Sequence, residues 1–109
     1  IISPPPMVGF NIGECMKRKA TNVIVLGRPD CNFKVAHFQL NQKGIIEALE
    51  EIEQRTGTEI VWLNKLICNE KTCITKVDNT YIYRDEGHLT VTGSEMLIPQ
   101  LNLVEKLLY

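Results

Sequence analysis

With 109 residues, 44% of them hydrophobic and 23% charged, the chain has the size and apolar content of a single domain spanning residues 1–109. Its net charge of −1 is scattered along the whole length, with no basic patch or polybasic tail, which excludes a nucleic-acid partner held by phosphate neutralisation. No apolar run approaches the roughly 18–20 residues that span a bilayer, and Ile1-Ile2-Ser3-Pro4-Pro5-Pro6 lacks the charged lead and long apolar core of a signal peptide.

Taken in order, Ile1-Ile2 reads as the end of a buried strand, and the three prolines force an exit because proline cannot donate to a sheet ladder. A chain opening this way, without Met, reads as an excerpt from a longer protein. Met7 to Ile12 is a Gly-punctuated loop. Gly13 to Lys19 suits a short helix with Cys15 and Met16 inward and Lys17-Arg18-Lys19 at its solvated end, where the helix dipole favours cations. Val23-Ile24-Val25-Leu26 has the composition of a strand, ended by Gly27-Arg28-Pro29-Asp30. Cys31 to Leu40 shows no clean polar face and reads as an irregular connector. His37 within it reads as a partly buried, hydrogen-bonded residue rather than a ligand.

Asn41 to Thr56 is the clearest helix: Asn41 as cap, Ile45, Leu49 and Ile52 as the apolar stripe widened by Ile46 and Ala48, and Gly57 as a left-handed stop. Its charged outer face is a solvated surface. Glu59-Ile60-Val61-Trp62-Leu63 then forms an apolar strand, and helix, tight turn and strand make half of a β-α-β unit with a parallel sheet. Ile74 to Val77 and Thr80 to Tyr83 flank Asp78-Asn79 as a hairpin. At the C-terminus Leu97, Leu101, Val104 and Leu108 lie on one helical face, with Thr92 and Glu95 as a capping box. Pro99 either bends this helix or sits in its first turn.

The four cysteines, Cys15, Cys31, Cys68 and Cys73, lack C-x-x-C spacing, and only two histidines could complete a metal shell. Neither a metal nor any other cofactor is expected. Two disulfides fit the count. Of three possible connectivities, Cys68 with Cys73 and Cys15 with Cys31 is favoured, because Asn69-Glu70-Lys71-Thr72 is a polar, turn-forming span. Such bridges imply an oxidising compartment; the other reading of the cysteines is four buried free thiols.

The stretch Tyr83-Arg84-Asp85-Glu86-Gly87-His88-Leu89-Thr90-Val91-Thr92-Gly93 carries the chemistry. Neutral imidazole is an effective base when its other ring nitrogen donates to a group that fixes the tautomer and stabilises the imidazolium. Asp85, three positions before His88, can be that group, so Asp85 is the candidate orienter and His88 the candidate base. A bare D-x-x-H also describes an ordinary solvated turn.

In its flanks, D-x-x-H-L-T-x-x-G followed by an apolar helix, this stretch resembles the last block of the SGNH, or GDSL-like, hydrolases, in which the matching Asp and His are triad partners of a serine. Pro4-Pro5-Pro6 to Gly9 with Gly13-Glu14-Cys15, and Cys68 to Cys73 with Asn79 to Asp85, are similar to SGNH domains joined to integral-membrane O-acyltransferases of bacterial surface polysaccharides. The resemblance implies a three-layer α/β/α sandwich of flavodoxin-like type, of which this chain is the C-terminal portion. It also implies acyl transfer to, or hydrolysis of an O-acyl ester on, a saccharide. The partners implied are an acyl donor, a saccharide acceptor, the upstream half of the domain and a membrane acyltransferase domain in the same protein, placing the domain periplasmic and tethered to the inner membrane. The Gly-Asp-Ser, Gly and Asn blocks of the family do not occur here, and the only serines are Ser3 and Ser94, so the isolated chain is expected to be inactive and marginally stable. A small secreted, disulfide-stabilised binding module is the alternative from another class, and metal-dependent hydrolysis at Asp85, His88 and His37 a third.

Overall fold

The computed structural model describes residues 1–21 and 30–108. Helix α1, Ile12–Ala20, starts at Asn11, whose side chain accepts the Glu14 N–H at 2.9 Å. It buries Ile12, Cys15 and Met16 and leaves Lys17-Arg18-Lys19 in its last turn, as the residue pattern predicts. The expected strand at residues 23–26 lies outside the described residues.

Residues 31–40 are not the irregular connector expected. Phe33–Lys34 forms strand β1 and Val35–Asn41 helix α2. Tertiary anchors decide this: Phe33 pairs antiparallel with Cys73, the Val35 N–H donates to Lys71 O at 2.9 Å, and Phe38 is buried. One large buried side chain holds the helix while Ala36 and Leu40 stand in solvent, so no amphipathic pattern was legible. His37 is exposed on α2 rather than partly buried.

Helix α3 runs Lys43–Thr56 and ends at Gly57, which takes a φ of 70° and donates its N–H to Glu53 O, the left-handed stop expected. Its start differs from the expectation. Asn41 belongs to α2, Gln42 stands between the helices, and neither side chain caps α3, because both are used on the N-terminal loop. Its apolar stripe is shallow: Ile46 and Leu49 are half-buried, while Ile45 and Ile52 remain 45% and 38% exposed.

The N-terminal residues pair parallel with the segment after α3. Ser3 N–H donates to Val61 O at 2.9 Å and Val61 N–H to Ile1 O at 2.7 Å, with Ile2 opposite Val61. The expected strand at 59–63 thus narrows to a bridge, in the parallel sense of the expected β-α-β unit. Val61 and Leu63 pack on Leu101, whereas Trp62 shares a narrow crevice with Phe38, Ile46 and Leu49. Alternation along extended backbone sends these residues to opposite faces, so helical segments flank the pair on both sides.

Helix α4, Asn64–Ile67, leads to Cys68 and to strand β2, Thr72–Cys73. Asn69 shapes the turn between the cysteines, its Oδ1 accepting the N–H groups of Lys71 and Thr72, both at 2.8 Å. Cys68 bonds to Cys73 and Cys15 to Cys31, the connectivity favoured from sequence. Strands β3, Lys76–Val77, and β4, Thr80–Tyr81, form the expected hairpin, with Asp78 at a φ of 52°. Asp tolerates that conformation because its short side chain bonds locally. The sheets among the described residues are two-stranded.

Helix α5, Val91–Leu97, is capped by Thr90, whose Oγ1 accepts the Gly93 N–H at 2.9 Å, and not by the Thr92/Glu95 box. Pro99 does not bend a continuous α-helix; it lies in the first turn of a separate helical segment that starts at Ile98, the second of the two expected placements. That segment is a 3₁₀ turn, Ile98–Leu101, after which Asn102 at a φ of 48° starts helix α6, Leu103–Leu108. Leu97 and Leu101 are buried but Val104 is 68% exposed, so the expected apolar face is interrupted at Val104. The main core joins Ile12, Phe38, Cys73, Ile82 and Leu97 around an edge-to-face pair of Phe33 and Tyr83, centroids 6.1 Å apart.

Candidate active site

The segment that leaves the hairpin at Tyr81 carries two fully buried residues, Ile82 and Tyr83, and returns through Leu89 and Thr90. Backbone bonds close the base of this return. Arg84 N–H donates to His88 O at 2.8 Å and Thr90 N–H to Ile82 O at 2.8 Å, with Tyr83 paired antiparallel to Leu89. The four residues between Arg84 and Leu89 therefore form a tight loop standing on a buried foot.

Asp85 organises the loop. Its Oδ1 accepts the N–H groups of Gly87 at 3.0 Å and His88 at 2.8 Å, the local bonding that Asp offers a turn. The same carboxylate reaches His88 Nδ1 at 3.0 Å from Oδ1 and 2.9 Å from Oδ2. Because a carboxylate only accepts, this geometry assigns the proton to Nδ1 and leaves the Nε2 lone pair outward in the neutral ring. The Gly87 and His88 N–H groups, with the imidazole beside it, lower the Asp85 pKa from 3.8 to about 2. Arg84 Nε, at 3.7 Å from Oδ2 and largely exposed, is too distant for a hydrogen bond.

Two elements brace the loop from behind. Gly13 of α1 lies against the Arg84 carbonyl, and its N–H approaches Asp85 O at 3.4 Å. A Cβ at position 13 would meet that carbonyl and stand 2.9 Å from Asp85 N, so only glycine lets α1 come this close. The Tyr83 hydroxyl donates to Pro6 O at 2.6 Å in a buried bond, and burial pushes its pKa well above the usual tyrosine value. The carboxylate and imidazole open onto a shallow depression shared with Met7, Asn11, Glu86 and Gly87. The His88 side chain is 71% exposed, so Nε2 meets solvent and anything that docks there.

The structure brings Asp85 and His88 together and leaves other candidates apart. Ser3 is buried in the parallel pair, its Oγ accepting the Leu63 N–H at 2.9 Å. Ser94 lies inside α5. Among the described residues no serine hydroxyl bonds His88, and no three His, Cys, Asp or Glu residues are grouped to hold a metal ion, so His37 does not join the pair. Met7 and Asn11 were missed from sequence. Asn11 had a legible signal, an Asn three positions before Glu14 at a helix start; Met7 had none.

A family model described as SGNH domain (fused to AT3 domains) matches residues 1–102. No curated protein and no solved structure matches the chain.

Proposed function

The chain belongs to the family of SGNH domains fused to AT3 domains, and from that membership we propose that Asp85 and His88 are the acid–base pair of a Ser-His-Asp acyl-transfer site. The family is of hydrolase or acyltransferase type. The observation that carries the reading is the two-oxygen contact of Asp85 with His88 Nδ1 at 2.9 and 3.0 Å, which fixes the tautomer and turns Nε2 outward.

In the proposed reaction a serine hydroxyl attacks the carbonyl carbon of an acyl ester. Its proton passes to His88 Nε2, and the leaving oxygen takes that proton back as the carbon–oxygen bond breaks. A saccharide hydroxyl or water then attacks the acyl-serine and gives its proton to His88, which returns it to the serine oxygen as the acyl–serine bond breaks, releasing the acylated saccharide or the free acid. Asp85 stays ionised throughout and stabilises the imidazolium; its low pKa suits that role. With Ser3 buried and Ser94 inside a helix, the nucleophile and the oxyanion donors are assigned to sequence upstream of Ile1. There the complete domain is a three-layer α/β/α sandwich that extends the parallel pair of Ile2 and Val61 and covers the half-exposed Ile45 and Ile52. The AT3 fusion in the family's description supports a membrane acyltransferase domain in the same protein. The two disulfides support an extracytoplasmic, periplasmic setting. No helix among the described residues is long and apolar enough to cross a membrane.

Hydrolysis of p-nitrophenyl acetate by the protein with its upstream sequence, against the same protein carrying His88→Ala or Asp85→Asn, tests the reading. His88→Ala is expected to abolish the serine-dependent rate. Asp85→Asn keeps an oxygen for the Gly87 and His88 N–H groups, so the loop stays folded, but it loses control of the tautomer, and kcat falls about 10⁴-fold. A His88→Ala protein as fast as its parent refutes the assignment.

A further inference from the structure

The loop at residues 5–7 is held by three side chains from two other places in the chain. Gln42 Nε2 donates to Pro5 O at 3.1 Å, the Tyr83 hydroxyl to Pro6 O at 2.6 Å, the Met7 N–H to Gln42 Oε1 at 3.0 Å, and Asn41 Nδ2 to Met7 O at 3.2 Å. Gln42 is buried at 4% exposure, so its two bonds are partly shielded from water, and the prolines fix φ through the approach. Backbone held at four successive polar groups is positioned, not merely connected. What it positions is Met7, whose thioether lies on Gly87 so closely that a Cβ there would collide with Met7 Sδ.

Met7 thereby reaches the depression onto which His88 opens. Of the residues lining it, Asn11, Asp85, Glu86 and His88 present polar side chains and Gly87 presents none, so Met7 supplies its apolar wall. An O-acyl ester on a saccharide has one apolar part, the alkyl portion of the acyl group; the sugar side is hydroxylated. We infer that Met7 is a specificity residue, the wall that receives the alkyl portion of the acyl group and limits its length, with Gln42 as the positioning residue that holds it. Methionine suits such a wall because its unbranched, polarisable side chain fits small apolar groups closely.

The inference rests on the acyl-transfer reading, and one experiment separates the two. The kcat/KM values for p-nitrophenyl butanoate and acetate are measured in the protein with its upstream sequence and in its Met7→Ala, Met7→Leu and His88→Ala variants. The butanoate-to-acetate ratio on one preparation does not depend on how much of it is folded. Met7→Ala is expected to raise that ratio about tenfold or more, the usual discrimination of a pocket wall per added methylene. Met7→Leu, of similar volume, keeps it within about threefold of the parent. A ratio indifferent to Met7→Ala in a His88-dependent enzyme overturns the assignment of Met7 alone. A parent that hydrolyses neither ester, or one matched by His88→Ala, overturns the reading of the site and this inference with it.

Discussion

Replacing Gly13 by alanine is the sharpest test of how the Asp85–His88 loop is held. In an ordinary helix interior, glycine to alanine stabilises by about 1 kcal/mol, because glycine loses more backbone freedom on folding. At position 13 the new Cβ would run into the Arg84 carbonyl and stand 2.9 Å from Asp85 N, and both are backbone atoms with no rotamer to turn away, so only a shift of the loop itself can make room. Helix α1 cannot simply retreat either, since Ile12, Cys15 and Met16 are buried and Cys15 is bonded to Cys31. Overpacking of this kind costs about 1–3 kcal/mol. At about 4–8 °C per kcal/mol for a domain of this size, Tm should fall by about 5–20 °C. The backbone of Arg84 and Asp85 is the part that yields, so the carboxylate moves with it, and kcat/KM should fall about 10²-fold, the usual cost of a misplacement near 1 Å. Gly44→Ala in the first turn of α3 is the control, because nothing lies within 4 Å of its Cβ position. It should leave Tm unchanged or raise it by a few degrees and leave the rate alone. Thermal unfolding of this chain by circular dichroism, together with ester hydrolysis by the protein carrying its upstream sequence, reads both quantities. If Gly13→Ala melts at or above its parent, α1 does not press on the loop as described.

The depressed pKa of Asp85 sets a pH dependence. A group whose folded pKa lies below its unfolded value stabilises the fold above the unfolded value and loses that contribution as pH falls through the folded one, here between 3.8 and about 2. Melting curves from pH 5 to 2 should therefore show parent and Asp85→Asn converging only in that acid window, and a gap that stays constant across it would contradict the assignment. Tyr83→Phe removes the donor to Pro6 O and leaves a buried carbonyl unsatisfied, at a cost of about 1–3 kcal/mol visible in denaturant unfolding. The midpoint should move without a change of slope. The disulfides should contribute unequally. Closing a separation of 16 between Cys15 and Cys31 removes about 3 kcal/mol of loop entropy from the unfolded chain, against about 2 kcal/mol for the separation of 5 between Cys68 and Cys73. Paired Cys→Ala variants in urea titrations should rank in that order, and equal losses would count against the entropic account.

Where local pattern and final structure agree, the determinant lies in short-range chemistry. The Asp85-x-x-His88 spacing favoured the pair because an aspartate at that offset bonds the Gly87 and His88 N–H groups ahead of it, which brings the imidazole within its reach. Helix α1, the Asp78-Asn79 turn, the Gly57 stop and the Cys68–Cys73 bridge were legible for the same reason: each is decided by residues within a few positions of one another. Tertiary structure decided the rest. Helix α2 exists because Phe38 and Phe33 find burial and pairing against residues far along the chain, and no periodicity in 31–40 announces that. Asn41 reads as a cap but is drawn away to Met7 O, since a side chain that can cap can equally satisfy a distant carbonyl. Thr90 displaced Thr92 as the cap of α5 because its hydroxyl also donates to Tyr81 O at 2.6 Å and the return from Leu89 brings it there. Above all, the setting of the pair, with Gly13 pressed behind it and Met7 held beside it by Gln42 and Asn41, joins residues from 34 positions apart, Met7 and Asn41, to 80 apart, Met7 and Gly87. Such contacts depend on where the folded chain brings distant backbone groups that need partners, and no local pattern records that.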